Sequence, residues 1–222
     1  MPADSDASQT HPAVQWPWPQ NWPAQEERLR LGVMASGEGT NFEALVQACR
    51  QGPLQADVVQ LVVNNPGCGA ERRAARLGVA CACLDHRLQP SREALDLALT
   101  GLFRDLAVDL IVLAGWMRIV TPTLIDAFPD RLLNIHPSLL PSFRGLNAVG
   151  QALASGVTIS GCTAHLVAEE VDAGPILVQA AVPVLADDDI PKLQRRIQRQ
   201  EHLILPLAVA LAAERLNRVP LE

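Results

Sequence analysis

No apolar run in this 222-residue chain is long enough to cross a bilayer, so no transmembrane helix is expected. No basic patch followed by an apolar stretch stands at the N-terminus, so no secretory signal is expected either. The cysteines are odd in number, five, and none form a CxxC pair, which argues against a disulfide framework or a zinc site. Cys49, Cys68, Cys81, Cys83 and Cys162 are therefore expected as small apolar core residues of a protein in a reducing compartment, the cytoplasm. Basic residues are not in excess: the formal charge is −6, which excludes broad non-specific nucleic-acid binding. It does not exclude an anionic small molecule, because a few backbone N–H groups can hold a phosphate in an acidic protein. HExxH, the GxSxG elbow, the P-loop GxxxxGK[ST] and a full GxGxxG are all missing, as is any internal repeat.

What is present is an ordinary globular composition, 49% apolar and 19% charged, in a length that buries a sizeable core. Leu29 to Ala35 reads as a strand, followed by the glycine turn Ser36-Gly37-Glu38-Gly39-Thr40-Asn41. Apolar residues at 42, 45, 46 and 49 then make a helical stripe. Strands follow at Asp57 to Val63 and Val79 to Leu84, separated by a helix from Gly69 to Leu77. Ser91 caps a further helix, Val108 to Ala114 is the clearest buried strand, and a short helix from Pro122 to Phe128 leads into Arg131 to His136. This alternation implies an α/β fold with an open twisted, mostly parallel, Rossmann-like sheet and helices on both faces. After Pro141 the pattern changes. A helix from Asn147 to Ser155 precedes Ser160 to Val167 and Ile176 to Val184, which alternate like an antiparallel hairpin. A last helix from Ile190 is expected to kink or restart at Pro206.

The first 28 residues hold five prolines with Trp16, Trp18 and Trp22 between them. Proline this dense works against helices and sheet ladders. The segment is expected outside the core, as a solvated extension or as an arm that docks its indoles, with residues 29–217 as a single domain.

Three stretches carry candidate chemistry. In Asn134-Ile135-His136-Pro137 an amide and an imidazole stand two apart on a strand and so share a face. An amide that holds an oxyanion beside a proton carrier suits acyl transfer; taken alone, the pair also closes strands through local bonds. The turn at Ser36 to Asn41 lies between strand and helix, where Gly39, Thr40 and Asn41 can present donors to a phosphate, or form an ordinary capped turn. Gly115 to Val120 leaves the carboxyl end of a strand, where ligands bind in open sheets, although Met117 to Val120 also suits core filling under a loop. Among the acids Glu169, Glu170 and Asp172, the first two read as a solvated turn. Asp172 stands in a tight Asp-Ala-Gly-Pro sequence.

Asn134-Ile135-His136-Pro137-Ser138-Leu139-Leu140-Pro141, then Phe143-Arg144-Gly145, then Val171-Asp172-Ala173-Gly174-Pro175 closely resembles the folate-dependent formyltransferases. The likeness runs from about Leu29 to Asn217 and is to the branch that formylates glycinamide ribonucleotide. It implies Asn134, His136 and Asp172 as catalytic groups: Asn134 on the oxyanion, His136 as acid, and Asp172 as the partner of protonated His136 and relay for the amine proton. It implies Gly39, Thr40 and Asn41 on the ribonucleotide phosphate, with Thr40 where Ser is usual, and Glu201 on the glycinamide end. It places Arg92, Met117, Arg118, Ile119, Val120 and Asn134 around 10-formyltetrahydrofolate, a consumed co-substrate, and implies no metal. Both partners are then small molecules, with no nucleic acid or membrane and a monomer or homodimer. Methionyl-tRNA formyltransferases add a C-terminal domain and formyltetrahydrofolate deformylases an N-terminal one, and neither is visible here.

Overall fold

The computed structural model describes residues 14–17 and 28–218, the last two by backbone alone. Eight strands form one sheet. In chain order they are β1 Val14–Trp16, β2 Leu29–Ala35, β3 Ala56–Val63, β4 Cys81–Cys83, β5 Leu110–Leu113, β6 Leu132–His136, β7 Ile159–Leu166 and β8 Ile176–Pro183. The spatial order is β1-β8-β7-β6-β5-β2-β3-β4. From β6 through β4 every pair is parallel. On the other side of β6, strands β7, β8 and β1 pair antiparallel.

Period-two alternation sends side chains into two cores, one on each face. Leu31, Val33 and Ala35 of β2 join Leu133 and Ile135 of β6 on one face. They meet helices α1 (Thr40–Gln51), α2 (Gly69–Leu77), α5 (Ala148–Ser155) and α6 (Ile190–Arg218). Met34, Ile111 and Leu132 point to the other face, against α3 (Arg92–Asp105) and α4 (Pro122–Ile125). Ser91 caps α3 by accepting the Ala94 N–H at 3.1 Å. The mostly parallel sheet with an antiparallel hairpin is thus the architecture expected from the alternation.

Some local expectations fail for identifiable reasons. Val14-Gln15-Trp16 forms a ladder despite the surrounding prolines, pairing Val14 with Ala181 and Trp16 with Gln179. These three residues keep their N–H groups, and an edge strand bonds on one side only. Gln15 also donates to Gln200 Oε1 at 2.8 Å, whereas Trp16 is 74% exposed. Trp18 and Trp22 lie outside the described residues. Cys49 and Cys162 are core residues, but Cys81 and Cys83 are exposed because β4 is the sheet's edge, and Cys68, the N-cap of α2, is half-buried. α6 neither stops nor restarts at Pro206; it runs through, at the cost of the donor to the His202 carbonyl.

Two glycines separate packing from flexibility. A Cβ on Gly161 of β7 would lie 2.0 Å from the Ala180 carbonyl oxygen, a backbone atom that no rotamer relieves. On Gly101, inside α3, it would meet nothing within 4 Å. Gly101→Ala should therefore stabilise by about 0.5–1 kcal/mol through helix propensity. Gly161→Ala should destabilise by about 1–3 kcal/mol as an overpacking change. Thermal melts read both, at roughly 2–4 °C per kcal/mol for a chain of this size; equal shifts of the same sign would contradict the contact.

Candidate active site

β6 is where the sheet changes from parallel to antiparallel. Its Asn134 lies between Leu113 of β5 and His165 of β7, and its His136 is opposite Thr163. The i, i+2 spacing puts both polar side chains on one face, at the carboxyl end of the strand. His136 is 6% exposed. The turn beyond it is fixed by β7 and β8: Thr163 Oγ1 donates to the Ser138 carbonyl at 2.7 Å and accepts the Leu140 N–H, and Gln179 donates to the Leu140 carbonyl. Ser138 Oγ donates to the Ser142 carbonyl at 2.6 Å.

Asp172 arrives from the β7–β8 connection. Its φ of +53° is left-handed, and Gly174 lets the turn press onto β7, since a Cβ there would sit 1.9 Å from the Leu166 carbonyl oxygen. The carboxylate is met from four sides. Oδ2 accepts the Gly145 N–H at 2.8 Å and faces His136 Nδ1 at 3.3 Å. Oδ1 accepts from Asn134 Nδ2 at 3.3 Å and faces His165 Nε2 at 3.5 Å. Burial pushes this carboxyl up, but the bonds from His165 and Gly145 and the charge of the two imidazoles outweigh it and hold Asp172 below the usual range.

His136 Nε2 donates to the Phe143 carbonyl at 2.9 Å. Both of its nitrogens therefore face acceptors, an arrangement fully satisfied only by the doubly protonated ring. Phe143 at φ +55° and Asn147 at +56° share the left-handed backbone of Asp172. Such residues cost on the order of 1 kcal/mol each and are retained where the surroundings enforce them. His165 donates from Nδ1 to the Leu166 carbonyl at 2.8 Å, and its Nε2 lies 3.5 Å from Asp172 Oδ1 and 3.2 Å from Asn134 Nδ2. Asn134 thus spends an amide N–H on Asp172, beside His165.

These groups open on a cavity of about 650 Å³. Arg92, Met117, Arg118, Ile119 and Val120 line it, as do Asn134, His136, His165 and Asp172. Met117 and Ile119 are 67% and 54% exposed, so they do not fill the core; Val120, 8% exposed, does so in part. Leu146 and Val171, also exposed, extend the apolar wall. Glu169 and Glu170 are exposed as expected, and Glu170 pairs with Arg144.

The glycine turn forms a second locus. Gly39 ends it as the N-cap of α1 with φ +74°, and no side chain caps the helix, so the Thr40, Asn41 and Phe42 N–H groups lack intrahelical acceptors. A Cβ on Gly39 would lie 2.6 Å from Ala70 Cα, so this glycine is required first for packing against α2. Ser36 binds the turn to the cavity wall, its N–H donating to the Gly115 carbonyl and its Oγ accepting the Met117 N–H at 2.8 Å. From α6, Gln198 donates to Thr40 Oγ1 at 2.7 Å. Glu201 accepts from Asn41 Nδ2 at 2.8 Å. Glu201 is 7% exposed and faces Asn41 rather than the cavity.

Sequence reasoning missed His165, Gln198 and the Gly145 N–H. The alternation Thr163-Ala164-His165 was a usable signal, two polar residues on the inward face of a strand. The contact of Gln198 depends on how α6 crosses α1, which no local pattern carries. Among the described residues, no cluster of three or more His, Cys, Asp or Glu is arranged to hold a metal ion, and no helix is long and apolar enough to cross a membrane.

The profile of the formyl transferase family matches residues 29–209. Phosphoribosylglycinamide formyltransferase of Escherichia coli K12 is 38% identical over 186 residues, covering 84% of this chain and 88% of that protein. The trifunctional purine biosynthetic protein adenosine-3 of Gallus gallus is 41% identical over 189 residues; these are 85% of this chain but 19% of that much longer protein. The crystal structure of glycinamide ribonucleotide transformylase 1 from Symbiobacterium toebii superposes with a TM-score of 0.84 at 45% identity, covering 89% of this chain and 92% of that one. Profile, sequence relatives and fold agree across the segment that carries Asn134, His136 and Asp172: the chain belongs to the formyl transferase family.

Proposed function

We propose that this chain transfers the formyl group of 10-formyltetrahydrofolate to the amine of glycinamide ribonucleotide, with residues 29–217 as the catalytic unit. The observation that carries the reading is the Asp172 carboxylate, which meets His136, Asn134 and the Gly145 N–H at the wall of a large, partly apolar cavity. The apolar wall of Met117, Ile119 and Leu146 suits a flat heteroaromatic donor, and Arg92 at the cavity edge suits its carboxylates. The uncapped first turn of α1 suits a phosphate.

In this reading the neutral amine attacks the formyl carbon and the carbonyl electrons move onto oxygen. Asn134 and protonated His136 stabilise the oxyanion. The attacking nitrogen loses a proton toward Asp172. The folate nitrogen takes a proton from His136 and leaves as the C–N bond breaks. The products are the formamide and tetrahydrofolate, and the proton count balances without a covalent enzyme intermediate. Asp172 faces Nδ1 of His136 and, with the Phe143 carbonyl on Nε2, fixes the ring.

Tetrahydrofolate release from the formyl donor, measured with and without the ribonucleotide, tests the assignment. Release that requires the ribonucleotide supports transfer. Equal release without it would identify a deformylase, and none in either case would remove the catalytic reading.

Two further outcomes follow from the geometry. His136→Ala should lower kcat by about 10²–10⁴-fold, the range for a positioned acid. Asp172→Asn should also slow turnover, and the double variant should be little worse than the poorer single one, since both serve one proton transfer. Fully additive losses would separate the two residues. The pKa of Asp172 is lowered, so the carboxylate stays ionised to lower pH than an ordinary aspartate. The acid limb of kcat should therefore start lower than an ordinary aspartate would set it, and Asp172→Asn should remove it. Stability behaves likewise: the contribution of Asp172 is present above its unfolded-state pKa and is lost as pH falls through the folded-state value.

A further inference from the structure

Behind the first turn of α1, Glu201 of α6 is 7% exposed, and among the described residues no cation pairs with it. Its hydrogen-bond partner is the Asn41 amide, donating from Nδ2 at 2.8 Å. The other end of that amide, Asn41 Oδ1, is buried and has no donor among the described residues. An ionised carboxylate held here would be a buried charge with one neutral partner, next to an amide oxygen left unsatisfied; each is costly. One proton on Glu201 removes the charge and supplies the donor that Oδ1 lacks. An acid and an amide joined in this way close a ring of two hydrogen bonds.

We propose that Glu201 works as a protonated, uncharged acid that positions Asn41 through an acid–amide pair, so that the floor of the anion seat at the start of α1 carries no negative charge. The proposal rests on reading that turn as the phosphate seat. A dianion held by backbone N–H groups gains from a neutral floor, and an ionised carboxylate one side chain away would oppose it. Among the described residues, burial and the Asn41 bond are what act on Glu201. On α1 the facing group is the neutral Asn41. On β7 it is the Cys162 thiol, raised by burial and then by Glu201, and so uncharged. On α6, His202 faces Arg73 and Glu43 rather than its neighbour in the chain, and burial lowers it toward the neutral form. Burial also raises Glu201 itself, with only the Asn41 bond acting against it.

Glutamine reproduces every hydrogen bond of the protonated acid, donating to Asn41 Oδ1 and accepting from Nδ2. The first test is Glu201→Gln against the wild type, both as full chains. Folded Glu201 holds its proton more tightly than the unfolded chain does. Its stabilising contribution is therefore full at low pH and falls as pH rises from the unfolded-state value through the folded-state one. Melting temperatures should agree at low pH, and the variant should become the more stable as pH rises. In ¹³C-carboxyl spectra of glutamate-labelled protein, one wild-type signal, missing in the variant, should remain at the acid position at neutral pH. That wild-type signal can be sought even if the variant folds poorly; its absence, with every glutamate at the carboxylate position, overturns the proposal.

The second test is calorimetric titration with glycinamide ribonucleotide across pH. The ratio of wild-type to variant Kd cancels the ionisation of the phosphate itself. It should stay near one while Glu201 keeps its proton and grow as the proton leaves. A variant that binds about tenfold more weakly than wild type at neutral pH would show that the charge is needed, and would overturn the proposal. The melting and carboxyl measurements use no ligand, so failure of the ribonucleotide to bind either protein counts against the substrate reading and leaves the protonation result standing.

Discussion

The shared carboxylate of Asp172 sets the geometry of everything around it. To reach both histidines it must leave the β7–β8 connection in a left-handed conformation, and that turn closes only because Gly174 allows contact with the Leu166 carbonyl. To be held once there, it needs the Gly145 N–H. Gly145 is delivered by a loop that starts at the His136 turn, is fixed by Thr163 and Gln179, and passes through left-handed Phe143. The same loop supplies the carbonyl that takes the other nitrogen of His136. Loop, turn and strand are thus closed on one another through one acid. A buried carboxylate that meets four groups is tolerable because those groups together exceed its desolvation cost.

The sheet explains why this closure occurs at β6. A purely parallel sheet would place a helical crossover after β6 and send the chain away from the strand ends. Here α5 is followed by β7 running antiparallel beside β6, which puts His165 directly across from Asn134. On the other flank, the parallel pairing with β5 brings the Gly115 to Val120 loop to the same edge. Bonds from Ser36 to Gly115 and Met117 then join the glycine turn to that loop. The change in strand direction is what allows an apolar cavity wall and the hydrogen-bonded cluster of Asn134, His136, His165 and Asp172 to share one opening.

Much of this was legible in sequence because it is local. Period-two and period-three-to-four patterns marked the elements from Leu29 to Leu205, and the two-residue spacing of Asn134 and His136 dictated a shared face. The resemblance supplied Asp172, which composition and spacing alone left as one acid among three. What stayed hidden depends on tertiary geometry. Edge position decides that Cys81 and Cys83 are exposed, and an open sheet edge decides that Val14 to Trp16 forms a strand in a proline-rich stretch. The crossing of α6 over α1 decides that Glu201 is buried on Asn41, where helical periodicity alone also allows a surface glutamate.

Position shifts the two carboxyl groups of Asp172 and Glu201 in opposite directions. Asp172 has imidazoles and backbone and amide N–H groups on both oxygens, and these favour the anion. Glu201 is buried, which favours the acid, and only its bond from Asn41 acts the other way. The assignments suit the charges to be handled. A cationic His136 needs a fixed anion behind it, whereas a phosphate needs a floor that does not repel it. The net charge of −6 is therefore no obstacle to binding a dianion. In the proposed reading the ligand meets a row of N–H groups at the start of α1 with a neutral pair behind them, and at that range local charge outweighs the formal total.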